Sequence, residues 1–98
     1  MMTQIEKLHR MKIEIYQIAH RHNAEKVYVF GSCARREETQ ESDIDLMVQF
    51  LPKASFFDQI QMEHDLADLL QAKVDVVDMD ALREGYFKEQ VLHEMIAI

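Results

Sequence analysis

The chain predicts a small α/β domain: a mixed sheet of about three strands flanked by helices, in the order α-β-α-β-α-β-α. Three observations carry this. The runs "KVYVF", "DIDLMVQF" and "KVDVVDM" are short and rich in β-branched residues, as strands are. Segments with apolar residues at three- and four-residue steps lie before, between and after them, as amphipathic helices require. The 98 residues are 48% hydrophobic and 30% charged, which suits one domain over 1–98 with one core and a solvated surface.

The elements follow in order. Thr3 to Glu6 has the form of a capping box. Ile5, Leu8, Met11, Ile15, Ile18 and His22 then predict one helix from about Gln4 to His22, with Lys7, Glu14, Gln17 and Arg21 outward. Lys26 to Phe30 is a short inner strand closed by Gly31. Ser32 is placed to cap a short helix from Cys33 to about Glu37, and "EETQES" reads as loop. Asp43 to Phe50 alternates, with Ile44, Leu46 and Val48 on one face and Asp43, Asp45 and Met47 on the other. Pro52 ends that strand. Ser55 to Asp58 offers a second cap, and Phe56, Ile60, Leu66, Leu69 and Leu70 carry a helix to about Gln71. "KVDVVDM" is the third strand, and Asp80 caps a C-terminal helical region broken near Gly85. Its apolar positions include Leu82, Phe87, Val91, Leu92, Met95 and Ile96.

Charge and composition narrow the functional classes. The net charge is −7, and residues 27–98 hold six Lys/Arg against fifteen Asp/Glu. An acidic body is a poor footprint for nucleic-acid binding, so no direct nucleic-acid contact is expected. No apolar run approaches the ~20 residues that span a bilayer, and no long apolar block opens the chain, so no membrane association is expected. The single Cys33 cannot form an internal disulfide, which fits a reducing, cytoplasmic setting.

Two carboxylates on a strand otherwise built for a core need a reason, because burying a charge is costly unless it is paired or bound to metal. Asp43 and Asp45 leave by the same face, roughly 7 Å apart at Cα. The third strand lies one strand spacing away and carries Asp75 and Asp78, which have opposite parity. Asp75, inside the strand, is the better third member. Three clustered carboxylates repel unless cations sit between them, and hard oxygen ligands select Mg²⁺ or Mn²⁺. Two such ions clamp the entering and leaving oxygens of a phosphoryl transfer. Gly31 lets the backbone turn and approach closely, and Ser32 follows at a helix start, where free N–H groups attract phosphate. Arg35 or Arg36 adds positive charge to that cradle.

The pattern Gly31-Ser32, ten residues, Asp43-x-Asp45 resembles the signature of the nucleotidyltransferase superfamily related to DNA polymerase β. With "GSCAR", "SDIDLMVQF" and "KVDVVD", the chain is similar to the minimal nucleotidyltransferase (MNT) family of prokaryotes over most of its length. The resemblance implies transfer of a nucleoside monophosphate from an NTP to a hydroxyl, with release of pyrophosphate. Gly31 and Ser32 then hold the triphosphate, Asp43 and Asp45 bind two Mg²⁺ ions, and Asp75 is the third carboxylate, which helps activate the acceptor. Arg35 matches the family's usual Arg and takes a supporting role in nucleotide binding. Arg36 stands where family members often have Gly, which bears on the shape of the loop. Many MNT proteins are antitoxins of a HEPN-domain ribonuclease toxin, and characterised pairs AMPylate a tyrosine on it. The resemblance therefore implies ATP as substrate and a HEPN toxin as acceptor and partner. Two rivals stay open: an antitoxin acting by binding alone, and a nucleotidyltransferase acting on a small molecule.

The remaining polar and aromatic residues have plainer roles. Cys33 reads as a small packed residue, and His9, His20, His22, His64 and His93 lack zinc-site spacing. His20 and His22 suit a helix C-terminus, and Glu63, Asp65 and Asp68 read as a solvated helix face. Tyr28, Tyr86 and Phe87 read as core or partner contacts rather than as a base-stacking platform.

Overall fold

The computed structural model describes residues 3–31, 34, 43–82 and 85–98. The expected helix after Ser32 lies outside the described residues. The elements are α1 (Gln4–Arg10), α2 (Lys12–Arg21), β1 (Ala24–Phe30), β2 (Ile44–Phe50), α3 (Phe56–Leu70), β3 (Val74–Asp78), α4 (Tyr86–Glu94) and β4 (Ile96–Ala97), with a 3-10 turn over Met79–Ala81.

The first helix is two helices, not one. Thr3 caps α1 by accepting from the Glu6 N–H, as expected. Met11 leaves helical geometry at φ −99°, ψ 17°, yet its N–H still reaches the Lys7 and Leu8 carbonyls and its own carbonyl accepts from Ile15. The break is therefore a bend, and the apolar stripe continues across it through Ile5, Leu8, Ile15 and Ile18, all buried. Lys7 does not face outward as expected. It is half-buried, and its Nζ donates to the Leu70 carbonyl at the end of α3.

The sheet has four strands in the order β3-β2-β1-β4, one more than expected. β1 runs antiparallel to β2 and β4, and β2 runs parallel to β3. A parallel neighbour needs a crossover, and α3 supplies it. The added strand is short. Ile96, expected on a helix, instead pairs with Val29.

Alternation divides the sheet into two faces. Val27, Val29, Ile44, Leu46, Val48, Val74 and Val76 pack against α1, α2 and α3 in one core. Met62, Leu66 and Leu70 form the buried stripe of α3, while Phe56 is 72% exposed, against its expected core role. Leu66 is fully buried, so Leu66→Ala is expected to lower unfolding free energy by about 2–5 kcal/mol. Urea denaturation checks this as a lower midpoint with an unchanged slope.

α3 opens on the expected cap. Ser55 accepts from the Asp58 N–H and Asp58 accepts from the Ser55 N–H, a complete capping box. Asp58 also accepts from Asn23 Nδ2 in the turn between α2 and β1, so one carboxylate ties two connections together. His22 does more than face a helix dipole: its Nε2 lies 2.7 Å from Asp65 and its Nδ1 3.9 Å from Asp58. Asp65 is thus a tether between α2 and α3, not only a solvated residue.

The Ser55 N–H, then Asn23, with His22 adding less, hold the Asp58 carboxyl below the usual carboxylate range. A folded-state pKa below the unfolded value stabilises the fold above the ordinary carboxylate pKa, and that contribution is lost as pH falls through the folded value. Thermal melts from pH 6 downward are expected to show a smaller acid-side loss of stability in Asp58→Asn than in the parent.

Asp78, not Asp80, caps the segment after β3. Its Oδ1 accepts from the Asp80 N–H and opens the 3-10 turn. α4 begins later, after Gly85, and puts the buried Val91 toward the second face of the sheet. No described helix is long and apolar enough to cross a membrane.

Candidate active site

Phe30 pairs with Asp45, so Gly31 follows β1 next to that carboxylate. Gly31 has φ +73°, a conformation that side chains disfavour. A Cβ placed there would lie 2.5 Å from Asp45 Oδ2. The missing side chain therefore does two things at once: it permits the bend, and it lets a carboxylate rest against it.

On the other side of β2, Asp45 pairs with Asp75 of β3. Parallel register puts both on the face opposite the core, about 4.8 Å apart in the strand-to-strand direction. Asp45 thus has the glycine bend on one flank and a second acid on the other. Like charges abreast are unfavourable in a sheet. β3 is held from outside at the next residue: Gln59 Nε2 donates to the Val76 carbonyl, and Glu63 accepts from the Val76 N–H, each at 2.9 Å. Glu63, expected on a solvated face, is a brace for the strand that carries Asp75.

Asp43 precedes β2, and its Oδ2 is 3.6 Å from Lys73 Nζ. Lys73 is 75% exposed, and a pair that open contributes about 0–1 kcal/mol. Asp75 opens onto a hollow beside Glu63, His64, Ala67 and Lys73, and Asp45 onto a cleft beside Gly31. Among the described residues, no three His, Cys, Asp or Glu side chains are gathered closely enough to hold a metal ion. Ser32, Cys33, Arg35 and Arg36 lie outside the described residues.

The Asp45 cleft has a volume of 250 Å³. Its floor is Phe30, Gly31 and Asp45, and its wall is Phe87, Gln90, Val91 and Glu94 of α4. Residue spacing alone does not point to this wall. Phe87 and Val91 fall one turn apart on an apparent core stripe, and only the packing of α4 shows that Val91 is buried while Phe87 is 61% exposed.

The family model for polymerase β-type nucleotidyltransferases matches residues 12–98. The chain belongs to that nucleotidyltransferase family. The protein adenylyltransferase MntA of Thermococcus cleftensis is 33% identical over 84% of this nucleotidyltransferase and 82% of its own length. A solved structure assigned as a minimal nucleotidyltransferase is 35% identical, has a TM-score of 0.82, and is covered over 94% of its length by 95% of this chain. A complex of a tri-AMPylated Shewanella oneidensis HEPN toxin with its MNT antitoxin contains the same fold. There the identity is 20% and the TM-score 0.66, over 91% of this chain and 69% of the other. The nucleotidyltransferase fold accounts for the described geometry: an acid on the central strand, beside the bend that follows the first strand.

Proposed function

We propose that this nucleotidyltransferase is an antitoxin that transfers AMP from ATP to a hydroxyl, a tyrosine's, on a HEPN-type ribonuclease toxin. The observation that carries the proposal is Asp45, packed against the Gly31 backbone and level with Asp75, in a chain one-third identical to a protein adenylyltransferase. The toxin as partner is supported by the fold shared with an MNT antitoxin bound to an AMPylated HEPN toxin.

The roles follow from the residues. Gly31 and Ser32 seat the triphosphate through backbone N–H groups, and Arg35 adds a cation beside it. Asp43 and Asp45, with Asp75, would hold Mg²⁺. The donors fit that ion: they are hard oxygens, and Mg²⁺ is usually held by one or two carboxylates plus substrate phosphates rather than by an all-protein cage. Among the described residues the three acids do not form one metal-sized group, so phosphate oxygens of the substrate would have to complete the coordination. When bound, Mg²⁺ neutralises phosphate charge and lowers the barrier to phosphoryl transfer. Asp75 takes the proton of the acceptor hydroxyl, whose oxygen bonds to the α-phosphorus. The bond from that phosphorus to the bridging oxygen breaks, and pyrophosphate leaves with the electron pair.

The test is label transfer. The chain, a HEPN partner and Mg²⁺ are incubated with ATP labelled at the α-phosphate, then at the γ-phosphate. The α-label is expected on the partner and the γ-label in pyrophosphate, with both lost on chelation of the metal. No α-label on the partner would overturn the proposal. Transfer to a small hydroxylated molecule instead would keep the chemistry and replace the acceptor.

A further inference from the structure

The cleft that holds Gly31 and Asp45 has two chemically different sides. The β1 side ends in the glycine bend. Among the described residues, the α4 side presents Phe87, Gln90, Val91 and Glu94. The Phe87 ring and the Val91 side chain offer a phosphate no hydrogen bond. That side suits a flat, neutral, polarisable group.

Val91 is 4% exposed, while Phe87, one turn earlier on α4, is 61% exposed and lines the cleft. A nucleoside triphosphate held by its phosphates at Gly31 leaves the nucleoside to continue along the same cleft. We propose, resting on the assignment of Gly31 and Asp45 to nucleotide binding, that α4 is the nucleobase wall and that Phe87 stacks on the base. Gln90, whose Nε2 donates to Glu94 Oε1 at 3.4 Å, adds polar surface beside it.

Base–aromatic stacking changes affinity by roughly 5- to 150-fold on removal of the ring. Inorganic tripolyphosphate has no base and should be blind to Phe87. Calorimetric titration of Mg-ATP and of Mg-tripolyphosphate into the full chain and into Phe87→Ala and Phe87→Tyr separates the two. Phe87→Ala is expected to weaken ATP by at least about fivefold and leave tripolyphosphate unchanged, and Phe87→Tyr to restore ATP affinity. Because Phe87 is mostly exposed, its melting temperature should hold within a few degrees. ATP affinity unchanged in Phe87→Ala would overturn the proposal while leaving the phosphate seat intact. Parent protein that binds neither ligand would overturn both the nucleobase wall and the nucleotide-binding assignment beneath it.

Discussion

Asp45→Asn is expected to cut label transfer by at least about 10²–10³-fold while the fold is kept. Asp45 stands level with Asp75 across β2 and β3 and against the Gly31 backbone. The isosteric amide removes one charge without changing shape, so the melting temperature should stay within about 8 °C of the parent. With Mg-ATP present, the same amide loses a hard anionic ligand and the field that favours charge at the phosphorus. The paired measurement is radiolabel transfer and a thermal melt on the same preparation. Lost stability with lost activity would make Asp45 a structural residue. If Asp45→Asn still neutralises a HEPN toxin fully, contact alone explains the antitoxin and catalysis is dispensable.

Gly31→Ala is expected to cost both fold and function. The new Cβ lies 2.5 Å from Asp45 Oδ2, a separation that real side chains do not tolerate. The Asp45 carboxyl would have to swing aside, away from the position it holds beside the bend. At φ +73° an alanine also carries left-handed strain of about 1–2 kcal/mol. We expect a melting temperature lower by about 4–16 °C and transfer reduced by at least about a hundredfold. A double variant, Gly31→Ala with Asp45→Gly, separates the causes. It should regain only the stability lost to the clash, not that lost to φ, and none of the activity.

The three longer strands, the caps at Thr3 and Ser55, and the polar/apolar split of β2 were legible in the sequence, because each depends on residues a few positions apart. The spacing of Gly31, Asp43 and Asp45 was legible for the same reason. Errors arose where neighbours distant in sequence decide the outcome. Phe56 repeats at core spacing but is 72% exposed, and Phe87, read as a core or partner contact, is 61% exposed beside a cleft. Asp65 and Glu63 read as solvent-facing, yet they meet His22 and the Val76 N–H, forty-three and thirteen residues away. Ile96 became a strand because β1 offered an unpaired edge.

Local pattern alone thus determined which residues make the three longer strands and which carry the acids, because backbone periodicity and chemical type are properties of short segments. Tertiary structure decided that Asp45 leans on Gly31, that Asp75 stands level with it, and that α4 walls the cleft. Those depend on strand register and on where a helix lands, which are settled only when the whole core packs.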